Sequence, residues 1–175
     1  MKNILLLRHA KSDWSNPALA DFDRPLAKRG LNDAPRMGMV LVRYGCMPDL
    51  VVSSPSLRTR QTVELSVLEN GYQGEVRWED SLYGGNDFDF LAVLQSLSLE
   101  VEQPLIVGHN PGVEETLNTL LTPRGDAPSG GVHIRVPTAG LALLNAEVEH
   151  WKDIRPGVCV LRWLLVPRLV RALLK

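Results

Sequence analysis

Three short apolar runs along the chain break off abruptly into polar residues: Ile4 to Leu7 into Arg8 and His9, Leu50 to Val52 into Ser53 and Ser54, and Leu105 to Val107 into Gly108 and His109. Runs this short, apolar at every position, predict strands buried on both faces, as in a parallel sheet covered by helices. Between them the spacing becomes helical. Leu31, Ala34, Met37, Val40 and Leu41 predict a helix from Ala27 to Tyr44, stopped at Gly45, with Pro35 as an objection inside its first turns. Ser53, Ser54 and Pro55 read as a cap and first turn for a helix through about Leu68, which puts Arg58 close to that first turn. A weaker strand, Val76 to Trp78, leads through a Gly-Gly-Asn turn to a helix of roughly Phe88 to Leu97, with Phe90, Leu91, Leu94 and Leu97 on one face. A helix from about Val113 to Leu121 follows the third run. Thr122 to Pro137, rich in Gly and Pro, predicts a long loop. Ala139 to Val148 and Val158 to Val166 predict two strands around a turn at Arg155-Pro156-Gly157, followed by a short tail helix.

Strands alternating with helices place the chain in the α/β class, with a mostly parallel central sheet, helices on both faces and ligands at the carboxyl ends of the strands. Its 175 residues suit a single domain over residues 1–175, and no repeat, low-complexity tract or linker divides it. Composition changes the picture little: 45% apolar and 22% charged residues are globular values. Charge changes it more. With 19 basic against 20 acidic residues and a net charge of −1, no overall field favours nucleic acid or an acidic membrane, so any anion site is local. Cys46 and Cys159 match no metal-ligand or C-x-x-C spacing and read as reduced thiols packed as small apolar groups. The first apolar run is too short for a signal-peptide core, so a cytoplasmic location is the default expectation. Val158 to Val170 is broken by Arg162, Pro167 and Arg168 and falls short of the ~20 residues a membrane span needs.

The chemistry sits where the runs end. Arg8 and His9 follow the first, Arg58 closely follows the second and His109 follows the third. A lone His beside a strand is more often a hydrogen-bonded structural residue than a catalyst, and an Arg is commonly a surface ion-pair residue, so no single segment decides. Convergence of all three at one sheet edge points to phosphate chemistry, because guanidinium forks hold paired oxygens. Other readings find less support. Ser53 and Ser54 lie in no G-x-S-x-G elbow, the Gly pairs beginning at positions 84 and 130 lack the Lys-Ser/Thr of a P-loop, and two Arg beside His9 and His109 would repel a metal cation. His133 and His150 match no motif and read as loop or turn residues.

Four ordered segments carry a resemblance: Leu5-Leu6-Leu7-Arg8-His9-Ala10-Lys11-Ser12; Asp23-Arg24-Pro25-Leu26 with Arg29-Gly30; Ser53-Ser54-Pro55-Ser56-Leu57-Arg58-Thr59-Arg60-Gln61-Thr62; and Val107-Gly108-His109-Asn110-Pro111-Gly112. A weaker match continues through Pro137-Thr138-Ala139-Gly140. With these the sequence resembles the histidine phosphatase superfamily, and within it the small SixA-type phosphohistidine phosphatases. The resemblance implies a phosphoglycerate mutase-like three-layer α/β/α sandwich. It implies His9 as a nucleophile that is transiently phosphorylated, Arg8 and Arg58 as holders of the phosphoryl oxygens, and His109 as a hydrogen-bond donor to the same group. Arg24 is a substrate-contacting residue by resemblance or a loop ion pair with Asp21 or Asp23. Lys11 and Ser12 either line the same mouth or, as the commoner case, are ordinary exposed residues after a strand.

No cofactor and no metal are required by this reading. Ester-cleaving members of the superfamily carry a carboxylic acid that protonates the leaving oxygen. Glu79, Asp80, Asp87 and Asp89 lie in the right stretch, but none aligns with that acid. A phosphoramidate nitrogen is basic enough to need no dedicated donor, which favours a protein phosphohistidine substrate, for example on a histidine phosphotransfer domain. Brief segments between motifs, with only Thr122 to Pro137 long enough to form a lid, favour the same open cleft. A small-molecule phosphomonoesterase or mutase is the alternative, and a non-catalytic phosphate-binding regulatory module a more distant one.

Overall fold

The computed structural model describes residues 1–122 and 133–173. Six strands form one sheet: β1 (Lys2–Arg8), β2 (Leu50–Ser53), β3 (Glu75–Trp78), β4 (Pro104–Gly108), β5 (Leu141–Ala146) and β6 (Cys159–Leu165), in the order β3-β2-β4-β1-β5-β6. β3, β2, β4 and β1 pair in parallel, and β5 runs antiparallel to both β1 and β6, so β5 alone is reversed. The sheet is mostly parallel, as the unbroken apolar runs imply.

Alternation across the pleat divides the core in two. One row, Val52, Ile106, Leu6 and Ala142 in register, packs under α3 (Asp87–Gln95) and α4 (Gly112–Leu121) through Phe90, Leu94, Val113 and Leu117. The adjacent row, Val51, Leu105, Leu5 and Leu143, packs under α1 (Lys28–Arg43), α2 (Leu57–Val63) and α5 (Pro167–Leu173) through Ala34, Met37, Leu41, Val63 and Val170. Two helical layers therefore enclose the sheet, and the fold is the expected α/β/α sandwich. The largest fully buried side chains, Trp151 and Phe90, both belong to the first core.

Several local readings change. Pro35 lies inside α1 without ending it. Ser53 ends β2, and α2 begins only after Ser56, then passes into one turn of π-helix over Glu64–Leu68. Ser54 and Ser56 do not cap the helix; their hydroxyls turn toward His109 instead. α3 is fixed by a capping box in which the Asn86 side chain accepts from Phe88 N and the Asp89 side chain from Asn86 N, both at 2.9 Å. A short 3-10 turn, Trp151–Asp153, follows β5 in addition to the expected turn. Residues 123–132 of the expected loop lie outside the described residues. Both cysteines are free; Cys159 is buried, which pushes its thiol up to about 12, whereas Cys46 is only half-buried. Among the described residues no helix is long and apolar enough to cross a membrane.

Candidate active site

Parallel strands bring their carboxyl ends to one edge, and the register there is tight. Arg8 pairs with Gly108, and Ser53 with both Val107 and Trp78. His9 N donates to Gly108 O at 2.9 Å and Ser54 N to Val107 O at 3.0 Å, which stitches the residues just past the strands together. Ala139, in the left-handed region at φ 56, donates its N–H to the carbonyls of Arg8 and His9 at 3.1 and 3.0 Å and fixes the end of β1 from the other side. The result is a cleft of about 490 Å³ lined by Arg8, His9, Arg24, Arg58 and His109. The sequence-derived candidates thus meet in one cavity.

His9 and His109 are buried, with ring centroids 5.0 Å apart. His9 Nδ1 lies 2.7 Å from the Ala10 carbonyl, which can only accept, so the ring proton belongs to Nδ1 and the lone pair to Nε2. Burial pushes the His9 pKa down to about 4; the Ala10 hydrogen bond opposes this, while the charges of Arg58, Arg8 and Arg24 add to it. His109 is pushed down to about 3, first by burial, then by His9 and Arg58. Its Nε2 sits 2.9 Å from Ser54 Oγ, and its Nδ1 is buried without a partner among the described residues. Nε2 can donate to the Ser54 hydroxyl or accept from it, and the second arrangement places the His109 proton on Nδ1.

The Arg24 and Arg58 guanidiniums are buried as well, and Arg8 is half-buried. Arg8 Nη1 donates to Val136 O at 2.8 Å, and that residue is held in turn by Glu114, whose Oε2 accepts from Val136 N at 2.8 Å. Arg24 stacks on Trp14, its guanidinium carbon 3.3 Å from the ring centroid. Asp21 joins the other two arginines: Arg24 Nη2 donates to one carboxylate oxygen, Arg58 Nη2 to the other at 2.8 Å, and Arg58 Nη1 to the Asp21 backbone carbonyl. Burial pushes the Asp21 carboxyl upward, but hydrogen bonds from Tyr83, Arg58 and Arg24 outweigh it and hold the group below the usual carboxylate range. Arg8 Nε, Arg24 Nε and Nη1, and Arg58 Nε remain buried with no acceptor among the described residues.

Arg24 therefore forms the loop ion pair, with Asp21, and also lines the cleft wall. Lys11 and Ser12 also line the cleft, and Ser12 is buried because an antiparallel bridge to Leu26 folds this segment back over the site. Of the four acidic residues weighed from sequence, three are engaged elsewhere: Glu79 accepts from Ser81 Oγ at 3.0 Å, Asp87 from Thr119 Oγ1 at 2.8 Å, and Asp89 caps α3. Tyr83 and Trp14 join the cleft without having been singled out, and Asp21, read from sequence only as a candidate ion-pair partner of Arg24, joins it too. Tyr83 follows the end of β3, so the strand-end rule that found His9 and His109 could have found it. Asp21 and Trp14 lie in a loop without any periodic signal.

Fold and cleft together define an oxyanion-handling α/β protein. The family model of the histidine phosphatase superfamily (branch 1) matches residues 4–83. An uncharacterized protein of Mycobacterium tuberculosis is 32% identical over 164 residues, 93% of this chain and 100% of that one. A solved structure of a candidate SixA phosphohistidine phosphatase from Nakamurella multipartitia is 30% identical, with a TM-score of 0.81 over 95% of this chain and 96% of that one. Another, from Agrobacterium tumefaciens, is 29% identical, with a TM-score of 0.75 over 95% and 98%. The chain belongs to the histidine phosphatase superfamily and is of the SixA type. Membership supports phosphatase activity as its chemistry.

Proposed function

We propose that the protein removes phosphoryl groups from histidine on a partner protein, such as a histidine phosphotransfer domain, through a phospho-His9 intermediate. The observation that carries the substrate class is the state of Asp21. This cleft carboxylate is ionised between two guanidiniums and has no proton to give a departing alkoxide. A phosphohistidine needs none from the enzyme. Its unphosphorylated ring nitrogen takes a proton from solvent, so the ring departs as neutral imidazole when the P–N bond breaks.

His9 Nε2 supplies the lone pair that forms the new P–N bond. Its Nδ1–H, held by Ala10, then already protonates the phosphorylated ring, so water attack on phosphorus releases inorganic phosphate and returns neutral His9 without a separate acid. Arg8, Arg58 and His109 have the charge and the donors to stabilise the equatorial oxygens during both transfers, and phosphoryl oxygens would satisfy the buried donors Arg8 Nε and His109 Nδ1. Arg24 extends the oxyanion site toward Trp14. Two SixA-type structures at 30% and 29% identity support the same substrate class.

The test pairs a phosphohistidine-bearing protein with a generic phosphate ester and traps acid-labile label on the enzyme. Label on His9 and turnover of the phosphoprotein, both abolished in His9→Ala, are expected. Efficient ester hydrolysis with phosphohistidine proteins left untouched would overturn the substrate class.

A further inference from the structure

The terminal nitrogens of two cleft arginines are committed to an anion that the protein itself supplies. Both Arg58 terminal nitrogens bind Asp21, one through its backbone carbonyl and one through its carboxylate, while Arg24 binds the second carboxylate oxygen. The partners differ in exposure. The Arg24 and Arg58 side chains are 8% and 5% exposed, whereas that of Asp21 is 51% exposed. Buried guanidiniums need a counter-charge nearby, and a half-exposed carboxylate can leave for water at little cost. Tyr83, from the loop after β3, donates its hydroxyl to Asp21 Oδ2 at 2.9 Å and steadies the carboxylate in its arginine-bound position.

We propose that Asp21 is a resident counter-anion: it occupies the Arg24 and Arg58 donors in the free enzyme, yields them to the phosphoryl group of the substrate, and takes them back as inorganic phosphate leaves. The inference rests on the phosphatase reading of the cleft. Arg8, Arg24 and Arg58 line one cavity of about 490 Å³, where three guanidiniums would retain the product dianion. A tethered carboxylate competes at high effective concentration for the same donors and so keeps phosphate affinity low enough for turnover. Asp21 is in this sense a product-release device, and its negative charge also disfavours small substrates that carry a second anionic group next to the phosphoryl.

Calorimetric titration with inorganic phosphate at mildly alkaline pH, where phosphate is a dianion, tests this without reference to any substrate. Asp21→Asn should bind phosphate about five- to ten-fold more tightly than the wild type, the effect of one removed ion-pair competitor. It should melt at a lower temperature than the wild type without phosphate, and saturating phosphate should restore more of its melting temperature. Equal or weaker phosphate binding by Asp21→Asn overturns the proposal and makes Asp21 an aligner of the arginines. Should that variant fail to fold, Tyr83→Phe decides: it keeps every charge but loosens Asp21, so about two-fold tighter binding supports the proposal and unchanged or weaker binding overturns it. No phosphate binding by the folded wild type or by either folded variant overturns this proposal and the phosphatase reading together. Wild-type binding that the variants leave unaltered overturns the role of Asp21 alone.

Discussion

The imidazoles of His9 and His109 stand 5.0 Å apart, tilted by 53°, in a pocket that keeps both uncharged. Two imidazolium ions at that distance, beside three guanidiniums, would repel strongly in a buried site. Neutrality is what the nucleophilic role proposed for His9 requires, and the Ala10 carbonyl fixes which His9 nitrogen carries the lone pair.

That relationship sets the pH behaviour. Both folded-state pKa values lie below the unfolded value near 6.5, so between them the unfolded chain binds more protons and stability falls as pH is lowered. The contribution is fully present above about 6.5 and is lost by about 4 for His9 and about 3 for His109. Ring C–H signals of these two residues in an NMR titration should show no midpoint near 6.5. In His9→Gln, denaturation midpoints measured across this range should depend less steeply on pH.

Arg58→Ala should lower kcat/KM by about 10²- to 10³-fold, the usual effect of losing one donor to the transition-state oxyanion. Trapped phospho-His9 should still form slowly, since the nucleophile is intact. Arg58→Lys should recover little, because a single ammonium cannot reproduce the two-nitrogen contact with Asp21 or grip two phosphoryl oxygens at once. Steady-state kinetics with an acid-quench label assay separates the two effects. Full labelling rates in Arg58→Ala would remove Arg58 from the chemistry.

How much of this was legible in the sequence follows from what periodicity can encode. Arg8, His9 and His109 were visible because each directly follows an apolar run, and a parallel sheet sends such residues to one edge. Arg58 was visible because a helix start after β2 places it in the first turn. Trp14 was not, and Asp21 was visible only as a loop ion-pair partner for Arg24, since their loop is held in the cleft by tertiary contacts: the Ser12–Leu26 bridge, the Gln61 side chain, which accepts from Leu26 N at 2.7 Å, and the Arg58 bonds to Asp21. Ser54 looked like a cap because a Ser before Pro commonly is one, yet its hydroxyl serves His109, a choice made by tertiary contact. Glu79, Asp87 and Asp89 lay in the right stretch, but hydrogen bonds to Ser81, Thr119 and Asn86 take them elsewhere.

Glu114 is expected to act on the site through Arg8. Its carboxylate accepts from Asn110 Nδ2, Val136 N and His133 Nε2 at 2.9, 2.8 and 3.1 Å, and Val136 returns its carbonyl to Arg8. Burial pushes the Glu114 carboxyl up, but these hydrogen bonds outweigh it and hold the group ionised. Glu114→Ala should lower kcat by about ten-fold, as expected for the loss of charged hydrogen bonds that fix a catalytic donor. Glu114→Gln, which keeps one acceptor in place, should recover part of the loss. A melting-temperature change without any change in kcat would reduce Glu114 to a structural role.

Gly30 tests whether the cleft depends on how closely α1 approaches the segment after β1. A Cβ at this position would lie 2.3 Å from the Lys11 carbonyl oxygen, the same oxygen that accepts from Ala27 N at 2.8 Å. Neither backbone can give way without disturbing the Ser12–Leu26 bridge that folds Lys11 and Ser12 over the site. Gly30→Ala should therefore cost about 1–3 kcal/mol of stability by overpacking and also lower the activity of the folded fraction. Gly45→Ala supplies the contrast. There φ is +62 and nothing lies within 4 Å of the added methyl, so the cost is confined to the left-handed backbone, about 1 kcal/mol. Chemical denaturation should register both substitutions, but kinetics normalised to folded protein should register only the first. Equal activity in the two would separate the α1 contact from the geometry of the cleft.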